Sequence, residues 1–175
     1  MPDYCRIKTK PLVFESGLMH YIGPIVLGLN DAMVEMTGAL AGFTMALPNN
    51  RIIAIAGFVT GVAATLSMAA AEFLSTETER SRNPWLASLA TGMTYLITVA
   101  LLLLPYFLLS SRFGALALCL ALAALIIFCF TWVVARIRHV CFRDSFIRML
   151  GVSFSVAGLA FIISWLAQIW WGIEV

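Results

Sequence analysis

Residues 28–42 read GLNDAMVEMTGALAG, a largely apolar stretch that carries two carboxylates, Asp31 and Glu35. The two acids are four residues apart, so a helix would present both on one face, where like charges repel each other. Glycines and alanines surround them and would allow a neighbouring helix to approach closely. The stretch predicts a tightly packed helix whose two acids require some form of compensation.

The composition of the chain places this helix in a membrane. Of the 175 residues, 62% are hydrophobic and only 11% are charged, whereas soluble proteins have about 25% charged residues. We therefore predict an integral membrane protein in which residues 1–175 form a single transmembrane domain. The net charge of +2 gives no reason to expect binding to nucleic acid.

The lengths of the apolar segments predict the number of spans. A bilayer core about 30 Å thick needs about 20 apolar residues per helix. Intervals without charged residues supply four such spans, and the segment around the two acids supplies a fifth. The sequence thus predicts an all-α fold with five transmembrane helices, at approximately 17–47, 52–75, 84–109, 113–136 and 147–171.

The distribution of basic residues predicts the orientation, because cytosolic segments are enriched in Lys and Arg. A cytosolic N-terminus and an external C-terminus would leave only Arg51 and Arg112 outside. The other nine of the 11 basic residues would be cytosolic: Arg6, Lys8, Lys10, Arg80, Arg82, Arg136, Arg138, Arg143 and Arg148. We expect a multi-pass protein of the plasma membrane.

The acids of the first helix have a counterpart in the second. A charge at the bilayer centre costs roughly 2.5 to 3.5 kcal/mol by insertion scales, so a bound cation, a shared proton or a water-filled cavity must compensate it. If the two helices form a hairpin about residues 49 and 50, Asp31 lies level with Met68. Glu72, Ser75 and Glu79 would continue the same face of the second helix.

This set of side chains predicts a site for a transition metal. Carboxylate oxygens suit Mn(II) and Fe(II), and a thioether is a softer ligand for which Mg(II) and Ca(II) have little use. An alternative is that Met68 only packs in the core and that the last glutamates form a solvated helix end. The candidate ligands are Asp31, Glu35, Met68, Glu72 and Glu79, with Asn30, Ser75 and Glu77 as secondary candidates.

Two segments, LGLNDAMVEMTGALAGFTMAL (27–47) and SMAAAEFLSTETE (67–79), resemble the first two membrane helices of the vacuolar iron transporter (VIT) family. The chain looks most like the short prokaryotic members, which lack a cytosolic metal-binding domain. The resemblance implies a homodimer whose first helices line a metal path. It also implies export of Fe(II), often with Mn(II) and other divalent ions such as Co(II) or Zn(II), in exchange for protons. Asp31, Met68 and Glu72 match family motif positions.

Two departures from the family pattern concern metal entry. The segment TETERSRNP (76–84) stands where longer members carry the cytosolic domain, which leaves Glu72, Glu77 and Glu79 as the expected entrance. Pro24 occupies a position where those members tend to carry a further acid, so we expect Glu35 to take over part of its role.

Other functions remain as alternatives. A proton-coupled exporter of organic cations would also use membrane carboxylates. A non-transporting structural or partner-binding bundle would instead be stabilised by removal of Asp31, without loss of function. We predict no enzymatic activity, because no histidine or nucleophile lies in a recognisable catalytic motif, and no permanently bound cofactor. The expected partners are divalent metal ions, protons, the lipid bilayer and a second copy of the chain.

Overall fold

The computed structural model describes residues 21–80, 83–138 and 141–171, without the side chains of Arg138 and Trp171. These residues form five helices: α1 (Ile22–Ala46), α2 (Asn50–Glu79), α3 (Pro84–Leu108), α4 (Arg112–Arg138) and α5 (Phe142–Trp171). The prediction of an all-helical fold with five helices is confirmed. The predicted start of the first helix at residue 17 lies outside the described residues.

Local sequence signals set the ends of α2. The Asn49 side chain accepts a hydrogen bond from the Arg51 backbone N–H at 2.9 Å, which caps the first turn. At the other end Arg80 adopts a left-handed conformation with φ of 51° and donates its backbone N–H to the Thr76 carbonyl. This cap lies beyond the predicted end at residue 75, so α2 extends to Glu79. Similarly, α5 begins at Phe142, before the predicted residue 147.

Four helices, α2 to α5, are long and apolar enough to cross a membrane. The chain is therefore a multi-pass membrane protein. The 25-residue α1 is long enough to span, but Asn30, Asp31 and Glu35 lower its hydropathy. That α1 also spans, and that the N-terminus is cytosolic, stay predictions.

The helix that carries Asp31 and Glu35 lies at the centre of the bundle. Helix α1 packs against α2, α3, α4 and α5, and it packs most extensively against α5. The Leu40 side chain lies against Gly57 of α2. The hairpin predicted about residues 49 and 50 would have placed residue 59 opposite Leu40, so the observed register differs from the predicted one by two residues. The core combines apolar side chains from α1 to α4, including Met33, Met36, Ile53, Tyr95, Leu102, Cys119 and Ile127.

Three polar side chains bind backbone carbonyls at the end of the bundle where α1 stops. Arg112 of α4 donates to the Leu47 carbonyl at 3.1 Å, and Gln168 of α5 donates to the Met45 carbonyl at 2.7 Å. Asn50 of α2 donates to the carbonyl of Leu109, the residue that follows α3, at 2.6 Å. Carbonyls in the last turn of a helix have no partner within the helix, so these bonds satisfy them and join α1 to α4 and α5.

Candidate functional site

The two carboxylates of α1 differ in their surroundings. Asp31 is partly buried, whereas Glu35, one turn further along, is exposed. Glu35 lines a groove of about 600 Å³ between α1 and α5. The rest of its lining is apolar or small, except for one serine: Gly38, Ala39, Gly42, Phe43, Ala46, Val156, Ala160, Ile163 and Ser164. A carboxylate thus lies in an otherwise apolar groove of a membrane protein.

Tyr95 of α3 holds the Glu35 carboxylate. Its hydroxyl donates a hydrogen bond of 2.6 Å to Glu35 Oε2, while the tyrosine itself is fully buried. A buried tyrosine usually finds a partner for its hydroxyl, and a bond to an ionised group is stronger than one between neutral groups. Tyr95 was not among the site residues predicted from the sequence. The run TGMTYLIT (91–98) could have indicated it, because this run places hydroxyl groups in an apolar span.

A close crossing of α1 and α3 positions this pair. A Cβ atom added at Gly28 would lie 2.5 Å from the Thr91 carbonyl oxygen, so only glycine allows this approach. The Thr91 hydroxyl also donates to the Pro24 carbonyl at 3.2 Å. Tyr95 is one turn beyond Thr91, and the crossing therefore brings its hydroxyl to the level of Glu35.

The predicted face of α2 divides into a buried and an exposed part. Glu72 is only 6% exposed and accepts a hydrogen bond of 3.2 Å from the Thr76 hydroxyl. Met68 is partly buried and packs against the hydrophobic core. The remaining candidates near the end of α2, Ser75, Glu77 and Glu79, are exposed. Glu72 therefore lies inside the bundle rather than on the surface with the other glutamates.

The candidate ligands do not converge on one point within the described part of a single chain. There, no group of three or more His, Cys, Asp or Glu side chains is arranged to hold a metal ion. Asp31 and Glu35 share a face of α1, but that Met68 faces Asp31 stays a prediction. Asn30 lines a different cavity, between α1, α4 and α5.

Comparison with known protein families places these residues in a wider group. Residues 22–83 match the model of the VIT family. This segment, about a third of the chain, is similar to the VIT family. The matched residues comprise α1, α2 and their connections, and they contain every candidate ligand. None of the curated proteins compared with the chain matches it.

The match to this family suggests a general class of activity. The VIT-family segment carries acids on two helices of a multi-pass membrane protein, and members of this family are membrane transporters of metals or other ions. The similarity of residues 22–83 to this family suggests a membrane transporter of metals or other ions.

Proposed function

We propose that this protein exports divalent transition metal ions from the cytosol in exchange for protons. Fe(II) and Mn(II) are the proposed substrates, with Co(II) and Zn(II) as further ones. The observation that carries the proposal is the position of Asp31 and Glu35. Both acids lie on the helix around which the other four pack, within the segment that matches the family.

The exchange follows from the cost of a bare charge in the membrane. A buried carboxylate must be neutralised by a proton or by a cation. Asp31 would therefore release its proton when it binds a metal ion, and release the metal ion when it binds a proton. Glu35 would supply a second carboxylate oriented by Tyr95, and Glu72 would offer an acid inside the bundle on α2. Carboxylate oxygens bind Fe(II) and Mn(II) directly.

A homodimer would complete the pathway. The Glu35 groove is open to the outside of the single chain, so a second copy could close it. A twofold axis beside α1 would bring two copies of Asp31 and Glu35 together, since such an interface uses the same surface on both subunits. The small residues Gly38 and Gly42 contribute to packing on α5 of the same chain, which leaves Ala39 and Phe43 for this contact.

The experiment that tests the proposal measures ion flux in liposomes of the purified protein. We expect Fe(II) and Mn(II) to enter and quench an internal dye, with an opposite movement of protons reported by a pH-sensitive dye. Mg(II) should give little signal. Metal flux without a pH change would contradict the exchange, and the absence of flux for every metal would contradict the export function. A single-chain mass in detergent would contradict the dimer.

One observation favours a second candidate, the export of organic cations. The Glu35 groove of about 600 Å³ has mostly apolar walls and one aromatic side chain, Phe43, which are features of small-molecule sites. The same liposomes tested with a fluorescent organic cation distinguish the two functions, because this candidate predicts flux of the dye and no flux of metal.

Replacing Met68 tests whether its sulfur contributes to metal selectivity. Leucine keeps most of the volume of methionine and can fill the same place against the core. If the thioether binds metal, Met68→Leu should lower the ratio of Co(II) to Mg(II) transport several-fold, because the soft ligand is lost. Flux of the two ions measured side by side gives this ratio. An unchanged ratio would assign Met68 to packing alone.

The exposed acids at the end of α2 are proposed to attract cations to the pathway. Replacing both Glu77 and Glu79 by Gln should raise the half-saturating metal concentration about two- to fivefold and reduce its dependence on salt, because surface attraction is screened by ions. The matched control is Asp144→Asn, which removes an exposed acid from α5. Equal effects of the double variant and the control would contradict the entrance role.

A further inference from the structure

A cavity of about 380 Å³ lies between α1, α4 and α5, apart from the acids of α1. On α1 it is lined by Val26, Asn30 and Val34, which share a face different from that of Asp31 and Glu35. The other walls are formed near the end of α4 and the start of α5, by Phe130, Thr131, Val134, Ser145, Arg148, Met149 and Val152. We refer to it as the α4–α5 cleft.

The α4–α5 cleft combines an unsatisfied polar group with apolar walls. The Asn30 Oδ1 atom is buried, and no hydrogen-bond donor reaches it among the described residues. Buried polar atoms are nearly always paired, so each exception calls for an explanation. The hydroxyls of Thr131 and Ser145 also border the cleft, while the remaining lining is apolar except for Arg148. A ligand for this cleft therefore needs both a hydrogen-bond donor and an apolar part.

The surroundings of the cleft are basic. Arg148 lines it and is exposed, and Arg143 is exposed one turn earlier on α5. Arg136, near the end of α4, is exposed and lies over the Trp132 ring at 5.3 Å. Asp144 is the one acid in the sequence of α4 and α5. The end of α4 and the start of α5 therefore carry more basic than acidic side chains, and basic pockets between membrane helices are known to bind anionic lipid headgroups.

We propose that the α4–α5 cleft binds an anionic phospholipid with a hydroxylated headgroup, drawn from the leaflet beside the end of α4 and the start of α5. Its phosphate would contact Arg148 and Ser145, and a headgroup hydroxyl would donate to Asn30 Oδ1. Its acyl chain would follow the apolar wall of Val134 and Val152. A lipid fits these walls better than a free anion, because most of the lining is apolar. The site does not depend on which ion is transported.

Such a lipid would act as a packing element. It would contact α1, α4 and α5 together, and a ligand that binds only the folded state raises the stability of that state. We therefore expect phosphatidylglycerol to stabilise the protein, and phosphatidylcholine, which has a zwitterionic headgroup without a hydroxyl donor, to have little effect.

The test uses the full chain, stripped of lipid in detergent. Titration with short-chain phosphatidylglycerol should raise the thermal unfolding temperature and give one bound lipid per chain by native mass spectrometry. Phosphatidylcholine should do neither. Arg148→Gln should weaken phosphatidylglycerol binding about tenfold, or about 1.4 kcal/mol, because the charge-assisted hydrogen bond to the phosphate is lost.

Two controls separate this site from general attraction to basic surfaces. Arg51→Gln removes an exposed charge at the opposite end of the bundle, and Arg136→Gln removes one near the cleft that does not line it. Both variants should bind phosphatidylglycerol more tightly than Arg148→Gln. Thr131→Leu should reduce binding by filling the cleft without changing charge.

Three results would overturn the proposal. These are equal binding of the two lipids to the unmodified protein, equal stabilisation by inorganic phosphate alone, and unchanged binding in Arg148→Gln. The comparison of lipids decides the question even if a variant fails to fold.

Discussion

Asp31→Asn is expected to reduce metal flux to the level of protein-free liposomes. Asparagine has nearly the same size and can still offer one carbonyl oxygen, but it can neither lose a proton nor balance the charge of a divalent ion. If Asp31 is where metal and proton compete, both the metal signal and the coupled pH signal should disappear together. Flux and internal pH measured in the same liposomes check this expectation.

The control for this variant is Asp144→Asn, which makes the same chemical change at an exposed position of α5. It should retain near-normal maximal flux. Asp31→Asn should also keep its helix content and elution volume, because the substitution removes a charge from a partly buried position without changing the volume of the side chain. Fe(II) flux close to that of the unmodified protein would remove Asp31 from the proposed mechanism.

Gly28→Ala is expected to destabilise the protein and to impair transport. The added Cβ atom would lie 2.5 Å from the Thr91 carbonyl oxygen, which belongs to the backbone and cannot rotate away. Overpacking of this kind costs about 1 to 3 kcal/mol, which exceeds the gain of up to about 1 kcal/mol from replacing glycine by alanine in a helix. Separation of α1 from α3 would also stretch the bond between Tyr95 and Glu35.

Thermal unfolding in detergent measures the first effect, and Gly151→Ala provides the matched control. Gly151 lies in a helix, and a Cβ atom there would have no neighbour within 4 Å. The control should therefore melt at or slightly above the temperature of the unmodified protein, and Gly28→Ala clearly below it. Identical melting of the two variants would show that the crossing of α1 and α3 tolerates a side chain at residue 28.

The sequence predicted the helices because their signal is local. Charge-free runs of about the length of a bilayer identified the four apolar helices, and the motif around Asn30 and Asp31 predicted the similarity to the VIT family. The end of α2 was predicted too early because polar residues such as Glu77 can continue a helix beyond the apolar part. The left-handed Arg80 that stops it has no signature comparable to glycine.

The site was only partly predictable, because side-chain partners depend on how helices cross. The spacing of Asp31 and Glu35 was enough to place both on one face of α1. The bond from Tyr95 to Glu35 depends on the approach of α1 to α3, which sequence periodicity does not encode. Likewise, spacing alone put Glu72 and Glu79 on one face of α2, but only the packing of the bundle makes the first buried and the second exposed.

The carbonyl contacts at the end of α1 constrain how a transporter of this shape could release its substrate there. Arg112 and Gln168 fasten the last turn of α1 to α4 and α5, so α1 cannot swing outward alone without breaking both bonds. At a net contribution of about 0.5 to 1.5 kcal/mol per hydrogen bond, breaking both would cost about 1 to 3 kcal/mol. The alternative keeps both of these bonds: α1, α4 and α5 would rock as one body against the α2–α3 pair. The bonds broken would instead include those that Tyr95 and Thr91 of α3 donate to α1.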